Sequence, residues 1–347
     1  MRQITINTSK KYDILLGDGL IKDIVKLTEP FCPSKRVLII TDDIVNSLYG
    51  EPVSDRFSLS GYYVKRFVFK NGEGSKNLQT LSDILEFAAF NGFKRNDLFL
   101  ALGGGVVGDI AGLASSLYMR GVPVVQVPTT LLSAVDSSIG GKTAIDLKSG
   151  KNLCGAFKQP DLVVIDTGII NDLPEDIFSC GMGEVIKCGV IKELPIFEYI
   201  AENRVKENLE SIIFDCLILK KDIVEKDEFD TLGIRNLLNV GHTIAHAVEL
   251  LSNYTIMHGN AVAMGLFTEA IISEKLGICD AATALTIKEA VKKAGLYFDL
   301  SFAASDIAKA CLLDKKNKDS RIVFLLPEKQ GNCREIRLSA DELQKLL

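Results

Sequence analysis

The sequence predicts an α/β first half built on a mostly parallel sheet, followed by a helical second half. Strand-like and helix-like segments alternate through the first half, which is how a parallel sheet covered on both faces reads. From Pro174 the texture changes to long helical periods, so the chain divides into residues 1–174 and 175–347. A third observation places a binding feature in the first half. The apolar run Leu98–Leu102 enters Gly103, Gly104 and Gly105 and then a small-residue segment around Ala111, Gly112 and Ala114. Strand, glycine turn and helix N-terminus in that order aim backbone N–H groups at an anion and let it come close.

Taken in order, Ile4–Asn7 and Tyr12–Leu16 read as a β-hairpin leading to a helix from Gly19. Arg36–Thr41 is a buried strand, and Tyr62–Phe69 is another, ending in the loop Asn71–Lys76. Leu78–Phe90 carries apolar residues at helical spacing, and the strands Leu98–Leu102, Pro123–Val127 and Leu162–Asp166 follow. In the second half Glu175–Ile191, Leu209–Glu228, Asn236–Leu251, Ala261–Leu276, Ala281–Ala294 and Ser305–Leu313 read as helices. A strand pair, Ile322–Leu326 with Glu335–Leu338, and a helix from Ala340 close the chain.

A chain of 347 residues, 47% hydrophobic, can bury two ordinary cores. Its net charge of −5 argues against a nucleic-acid partner, which would want a basic face. No apolar run approaches the roughly 18–20 residues of a membrane span, and the N-terminus has no signal-peptide pattern. Eight cysteines stand singly, without a C-x-x-C pair, which fits reduced thiols in the cytoplasm.

Gly103-x-Gly105-x-x-Gly108 matches the dinucleotide fingerprint in its required context. The next strand ends in Pro128-Thr129-Thr130, so a carboxylate for a ribose must come from elsewhere. The three histidines, His242, His246 and His258, fall within seventeen residues, and the first two share a helix face. Imidazoles with a carboxylate suit a catalytic Zn²⁺, and spacing alone favours all three as ligands. Glu184 and Lys187 are i, i+3 on a helix with apolar flanks; they read as a carboxylate donor with a neighbour or as an ion pair. Arg120, Lys142, Lys151-Asn152 and Arg235 are basic positions beside small or polar residues. Gly140-Gly-Lys-Thr143 lacks both the first glycine and the preceding strand of a P-loop, which excludes that motif. A lysine at a glycine turn still suits a phosphate monoester or a carboxylate. Lys315, Lys316 and Lys318 read from spacing as a solvated charge run.

With those residues in place, the chain resembles the 3-dehydroquinate synthase family of sugar phosphate cyclases over nearly its whole length. The resemblance is densest in GGGVVGDIAG, YMRGVPVVQVPTTLLSAVDSSIGGKTAID, KNLCGAF, GMGEVIKCGVI, RNLLNVGHTIAHAVE and HGNAVAMG. It implies a Rossmann-like NAD-binding domain, an all-α C-terminal metal domain and a substrate between them. The implied reaction converts 3-deoxy-D-arabino-heptulosonate 7-phosphate to 3-dehydroquinate and phosphate, by transient oxidation with NAD⁺, phosphate elimination, re-reduction and intramolecular aldol closure. It further implies Glu184, His242 and His258 as ligands of Zn²⁺ or Co²⁺. Lys142, Asn239, His246 and a lysine of the Asp314-Lys-Lys run, assigned as Lys316, would hold phosphate, with Arg120 reaching it across a homodimer interface. Lys221 and Arg235 would hold the carboxylate, and Asp136 and Lys187 the hydroxyls near the metal. For NAD the resemblance implies Gly104, Gly105, Val106 and Asp109 at the turn, with Thr129 and Thr130 beneath it. Asp42, Glu73 and Lys76 would contact the adenosine ribose, and Lys151 and Asn152 would lie between cofactor and substrate. Asp172 departs from the threonine usual in the family.

Two rival readings share parts of this pattern. A glycerol dehydrogenase-type enzyme would have the domain plan without the constellation of Lys142 and Arg235. A non-catalytic NAD sensor would not need the histidines with Glu184 and Lys187. Among related cyclases, Asn239 and His246 are as dehydroquinate synthases have them.

Overall fold

The structure, a computed structural model, describes residues 1–313 and 321–347. It separates into two compact units: Met1–Leu173 with Lys220–Phe229, and Pro174–Leu219 with Asp230–Leu347.

The first unit is built on seven strands: β1 (Arg2–Ile6), β2 (Tyr12–Gly17), β3 (Arg36–Asp42), β4 (Tyr63–Phe69), β5 (Leu98–Gly103), β6 (Val124–Pro128) and β9 (Leu162–Asp166). Their order is β1-β2-β9-β6-β5-β3-β4; β1 is antiparallel to β2 and every other pairing is parallel. Alternate residues of the central strands feed two cores. Leu38, Ile40, Phe99 and Ala101 pack on one face, and Val37, Ile39, Leu98 and Leu100 on the other. Both faces are covered because the helices α1 (Ile24–Thr28), α2 (Asp43–Val45), α3 (Glu51–Leu59), α4 (Leu78–Phe90) and α5 (Gly105–Leu117) lie between strands in the chain, and α6 (Thr167–Asn171) follows the last of them. From β3 the chain steps out to β4, then returns to β5 on the other side of β3. That reversal puts the carboxyl ends of β3 and β5, Asp42 and Gly103, at a topological switch point, where open α/β sheets bind ligands.

The remaining strands of this unit, β7 (Lys142–Leu147) and β8 (Gly150–Phe157), form a separate antiparallel hairpin. The sequence pattern predicts no strands there. The hairpin is only half-buried and is broken by glycines, so its alternation is weak.

The second unit contains α7 (Glu175–Ile191), α8 (Ile196–Ala201), the start of α9 (Leu209–Val224), α10 (His242–Leu251), α11 (His258–Lys275), α12 (Ala281–Lys293), α13 (Ala304–Leu312) and α14 (Ala340–Leu346). Helices are its rule; the exception is the antiparallel pair β10 (Ile322–Lys329) and β11 (Asn332–Leu338). Two expected helices are shorter than their periodicity. Asn236–Leu251 is cut into a 3₁₀ turn, Ile234–Asn239, and α10, because Gly241 adopts φ +83°. Helix α9 stops at Val224, after which Glu225 and Glu228 turn to accept hydrogen bonds from Asn7 and Ser9 N–H at 2.6 and 2.7 Å.

Candidate metal centre and cofactor turn

Glycines in the second unit let three helices approach backbone to backbone. A Cβ added at Gly183 would lie 2.8 Å from the carbonyl carbon of Gly259, and one at Gly259 would lie 2.7 Å from that of Cys180. At the α10–α11 crossing, a Cβ at Gly265 would be 2.8 Å from the carbonyl carbon of Gly241. Gly241 also occupies the left-handed region just before α10, and its N–H donates to the buried Glu269 Oε2 at 2.7 Å. These notches bring Glu184 of α7, His242 at the first turn of α10 and His258 at the first turn of α11 to one point.

Their donor atoms all lie within 4.8 Å of one another. His242 Nε2 is 3.5 Å and His258 Nε2 is 3.3 Å from Glu184 Oε1. A tetrahedral Zn²⁺ with bonds of about 2.0–2.1 Å spaces its donors by roughly 3.3–3.4 Å, so the spacing suits a shared ion. The outer nitrogens are held as well. His242 Nδ1 donates to the Val240 carbonyl at 3.1 Å, and His258 Nδ1 faces Glu249 Oε2 at 3.3 Å. With an ion in place, each contact would hold the Nδ1 proton and leave Nε2 to the ion, the arrangement that metal-binding histidines require.

Glu184 is 1% exposed, and its carboxylate faces the Nε2 atoms of His242 and His258 and the Lys187 ammonium. A buried carboxylate facing two imidazole nitrogens fits a cation. Lys187, equally buried, forms a short ion pair with Glu184. Burial works against the charge on Glu184, yet the Lys187 ammonium and the two imidazoles hold its carboxyl well below the usual range. Burial and the Lys187 charge hold His242 well below its ordinary value. For His258 burial is outweighed by Glu184 and Glu249, which push it up to about 10.

The other residues expected in this unit are placed as follows. His246 lies outside the donor group, its ring 5.5 Å from that of His242 and nearly perpendicular to it. Spacing alone favours it as a ligand; the crossing of α7 and α11 supplies Glu184 in its stead. Arg235 is buried on the 3₁₀ turn that ends at Asn239. Asn239 lines a cavity of about 170 Å³ with Asn236, Thr243, Glu335 and Arg337. Lys316 lies outside the described residues. Glu249, Val240 and the glycine notches were not singled out from sequence; the glycines of GMGE, VGH, HGN and AMG were the available signal.

In the first unit the glycine turn lies at the carboxyl end of β5. Gly104 is the cap of α5 and brings no side chain to compete for the first-turn amides. A Cβ at Gly104 would crowd Thr130 Cγ2 at 3.3 Å, and one at Gly105 would crowd Ser137 Oγ at 3.1 Å. Beside this turn, the buried hydroxyls Thr129 Oγ1 and Ser137 Oγ have no hydrogen-bond partner among the described residues, whereas Thr130 bonds to Ser133. Amides without a side-chain cap, beside two such hydroxyls, fit a phosphate-bearing cofactor. Val106 and Asp109 follow on α5.

Lys76 is buried and bonds Asp109 Oδ2 and Asn152 Oδ1, both at 2.6 Å. Burial pushes Asp109 up to about 6 despite Lys76, while Asp109 and Glu73 raise Lys76 despite burial. The two shifts pull the pair in opposite senses; the short contact favours the ionised pair at neutral pH. Glu73 pairs with Lys151 at 3.6 Å, and Asp42 Oδ1 caps α2 through Val45 N–H at 2.9 Å. Lys142 is exposed at the start of β7, and Arg120 is exposed with φ +65°. Lys221 Nζ bonds both oxygens of Glu225 at 2.8 Å. Asp136 stands in the π-helical turn Ser133–Ser137, where Lys220, not singled out from sequence, bonds it. Asp172 caps the end of α6.

A parallel α/β unit with a glycine turn at its switch point, and a helical unit with a two-histidine, one-glutamate centre, define a class of metal-centred, nucleotide-using enzymes. The chain belongs to the 3-dehydroquinate synthase family. The family's N-terminal model matches residues 66–180 and its C-terminal model residues 181–317. A 3-dehydroquinate synthase of Clostridium acetobutylicum is 40% identical over 97% of this chain and 96% of its own length. That of Alkaliphilus metalliredigens is 39% identical over 100% and 98%. Among solved structures, 2-deoxy-scyllo-inosose synthase, complexed with carbaglucose-6-phosphate, NAD⁺ and Co²⁺, superposes with a TM-score of 0.90 at 24% identity, covering 99% of each chain. A 2-epi-5-epi-valiolone synthase from Streptomyces hygroscopicus, with NAD⁺ and Zn²⁺ bound, gives 0.89 at 23% identity, covering 99% of this chain and 97% of its own. At such identities these two establish the shared fold. Among the described residues, no helix is long and apolar enough to cross a membrane.

Proposed function

We propose that this chain is a 3-dehydroquinate synthase, converting 3-deoxy-D-arabino-heptulosonate 7-phosphate to 3-dehydroquinate and phosphate in the shikimate pathway. The observation that carries the reading is the buried Glu184, His242 and His258 set, in a chain about 40% identical to curated synthases over its length. NAD⁺ and Zn²⁺ or Co²⁺, when bound, supply a hydride acceptor and a Lewis acid for oxidising the C5 hydroxyl, which acidifies C6 for loss of phosphate from C7.

The protein's part is to hold these groups and the substrate. Glu184, His242 and His258 would hold the ion, with Val240 and Glu249 fixing the two rings. Gly104, Gly105 and Val106 would take the pyrophosphate on the first-turn amides, with Thr129 and Thr130 below. Asp42, Glu73, Lys76, Asp109, Lys151 and Asn152 would serve the rest of the cofactor. Lys142, Asn239, His246, Arg120 and Lys316 would bind phosphate, and Arg235 and Lys221 the carboxylate. For Lys221 this means exchanging Glu225 for the substrate's carboxylate. Lys187 and Asp136 would hydrogen-bond the hydroxyls undergoing reaction. Cationic anchors at both ends fix the substrate's geometry, which is most of what ring closure requires.

A cytoplasmic location is supported by eight cysteines that remain thiols. Assembly as a homodimer is supported by exposed Leu117 and Met119 beside Arg120, and light scattering at micromolar concentration tests it. The activity itself is tested by phosphate release from the heptulosonate phosphate with NAD⁺ in catalytic amount. An alcohol dehydrogenase would instead accumulate NADH from an alcohol.

A further inference from the structure

Lys220 is a buried cation that the proposed function leaves unused. It is 6% exposed, and its Nζ lies 2.5 Å from the main-chain oxygen of Asp136 and 2.6 Å from Asp136 Oδ1. Asp136 belongs to the turn Ser133–Ser137 after β6, at the carboxyl edge of the sheet. The same turn abuts the glycine turn through the close approach of Ser137 to Gly105. One ammonium therefore grips both the backbone and the carboxylate of a single residue at the binding edge. That fixes the turn and the side-chain torsion together.

The base of this grip is itself anchored within the first unit. Beyond Lys220, Glu225 accepts from Asn7 N–H at 2.6 Å, and Glu228 accepts from Ser9 N–H at 2.7 Å and from Gln159 Nε2 at 2.9 Å. The asymmetry of the pair is informative: the ammonium is buried, while the Asp136 side chain is 33% exposed. A methionine would fill the place of Lys220 without the cost of desolvating a charge. What the lysine adds is a carboxylate presented in one orientation.

We propose that Lys220 is a positioning residue, which holds Asp136 so that its carboxylate accepts a hydrogen bond from a substrate hydroxyl. The inference rests on the function proposed above, with Asp136 as a substrate contact. The test is steady-state phosphate release by the full-length protein with NAD⁺ and Zn²⁺, for Lys220→Met, Asp136→Asn and the double variant. Lys220→Met is expected to lower kcat by about 10–100-fold with KM within about threefold, as misplacement of a reacting contact does. The double variant is expected to be no slower than Asp136→Asn, because the lysine acts through that carboxylate. Lys220→Arg, which keeps a cation, is expected to recover most of the loss. An unchanged kcat in Lys220→Met, losses that multiply in the double variant, or equal losses for Arg and Met would each overturn the proposal. Should Lys220→Met fail to fold, Lys220→Gln carries the same comparison. A parent protein that releases no phosphate would defeat the functional reading instead.

Discussion

Gly183→Ala would probe the metal centre without touching a ligand. The added Cβ would lie 2.8 Å from the Gly259 carbonyl carbon. Relaxed carbon contacts are about 3.5–4.0 Å, so α7 and α11 must part by on the order of 1 Å. Glu184 is the next residue on α7 and His258 the one before Gly259, and their facing atoms are 3.3 Å apart. Two donors on one ion with bonds of about 2.1 Å cannot be more than about 4.2 Å apart even when collinear with it. Parting the helices by that amount takes the pair to this limit. Overpacking should cost about 1–3 kcal/mol, or a few degrees in melting temperature. Metal affinity should fall on the order of 10²-fold, about 2.7 kcal/mol. The assay is competition for Zn²⁺ or Co²⁺ against a chelator of known affinity, on protein checked by circular dichroism. Gly74→Ala, where a Cβ meets nothing within 4 Å, is the control. Parental metal affinity in folded Gly183→Ala would refute the claim that glycine contact sets the donor spacing.

Three further outcomes are expected. Glu249→Gln, which weakens the hold on His258 Nδ1, should lower metal affinity by about 10-fold and also lower the melting temperature of the metal-free protein, where Glu249 supports the charge on His258; unchanged affinity would remove Glu249 from the centre. Asp109 has a folded pKa of about 6, raised above its ordinary 3.8. Its contribution to stability is therefore full below about pH 4 and is lost as pH rises through 6. Melting curves of cofactor-free protein and of Asp109→Asn should diverge in slope across that window, and parallel slopes would contradict the assignment. Lys142→Ala should raise KM for the sugar phosphate about tenfold, a modest effect because the lysine is exposed. A raised Kd for NAD⁺ in its place would move Lys142 to the cofactor.

Periodic segments with clear ends were legible in the sequence. Leu78–Phe90, Leu162–Asp166 and Glu175–Ile191 have in the structure the bounds that their apolar spacing gave. Local pattern failed where tertiary contact decides. The helical period runs through Gly241 without a break, yet contact with α11 and the bond to Glu269 make that glycine a stop. The hairpin β7–β8 was hidden because its residues are half-buried on a glycine-rich background. At the metal centre, helical spacing linked His242 to His246; the family resemblance named Glu184 with His242 and His258, and the packing of α7 on α11 is what brings the three together. Adjacent lysines showed the same limit: Lys220 turns to Asp136 and Lys221 to Glu225, a difference of direction around α9 that depends on what each meets.

The measurement that bears most directly on the central claim follows phosphate and the absorbance of NADH together. With substoichiometric NAD⁺, Zn²⁺ and the heptulosonate phosphate, phosphate should be released over many turnovers while NADH shows no net rise, and a chelator should stop the release until Zn²⁺ or Co²⁺ is returned. Steady accumulation of NADH, or undiminished phosphate release from fully chelated protein, would contradict the account.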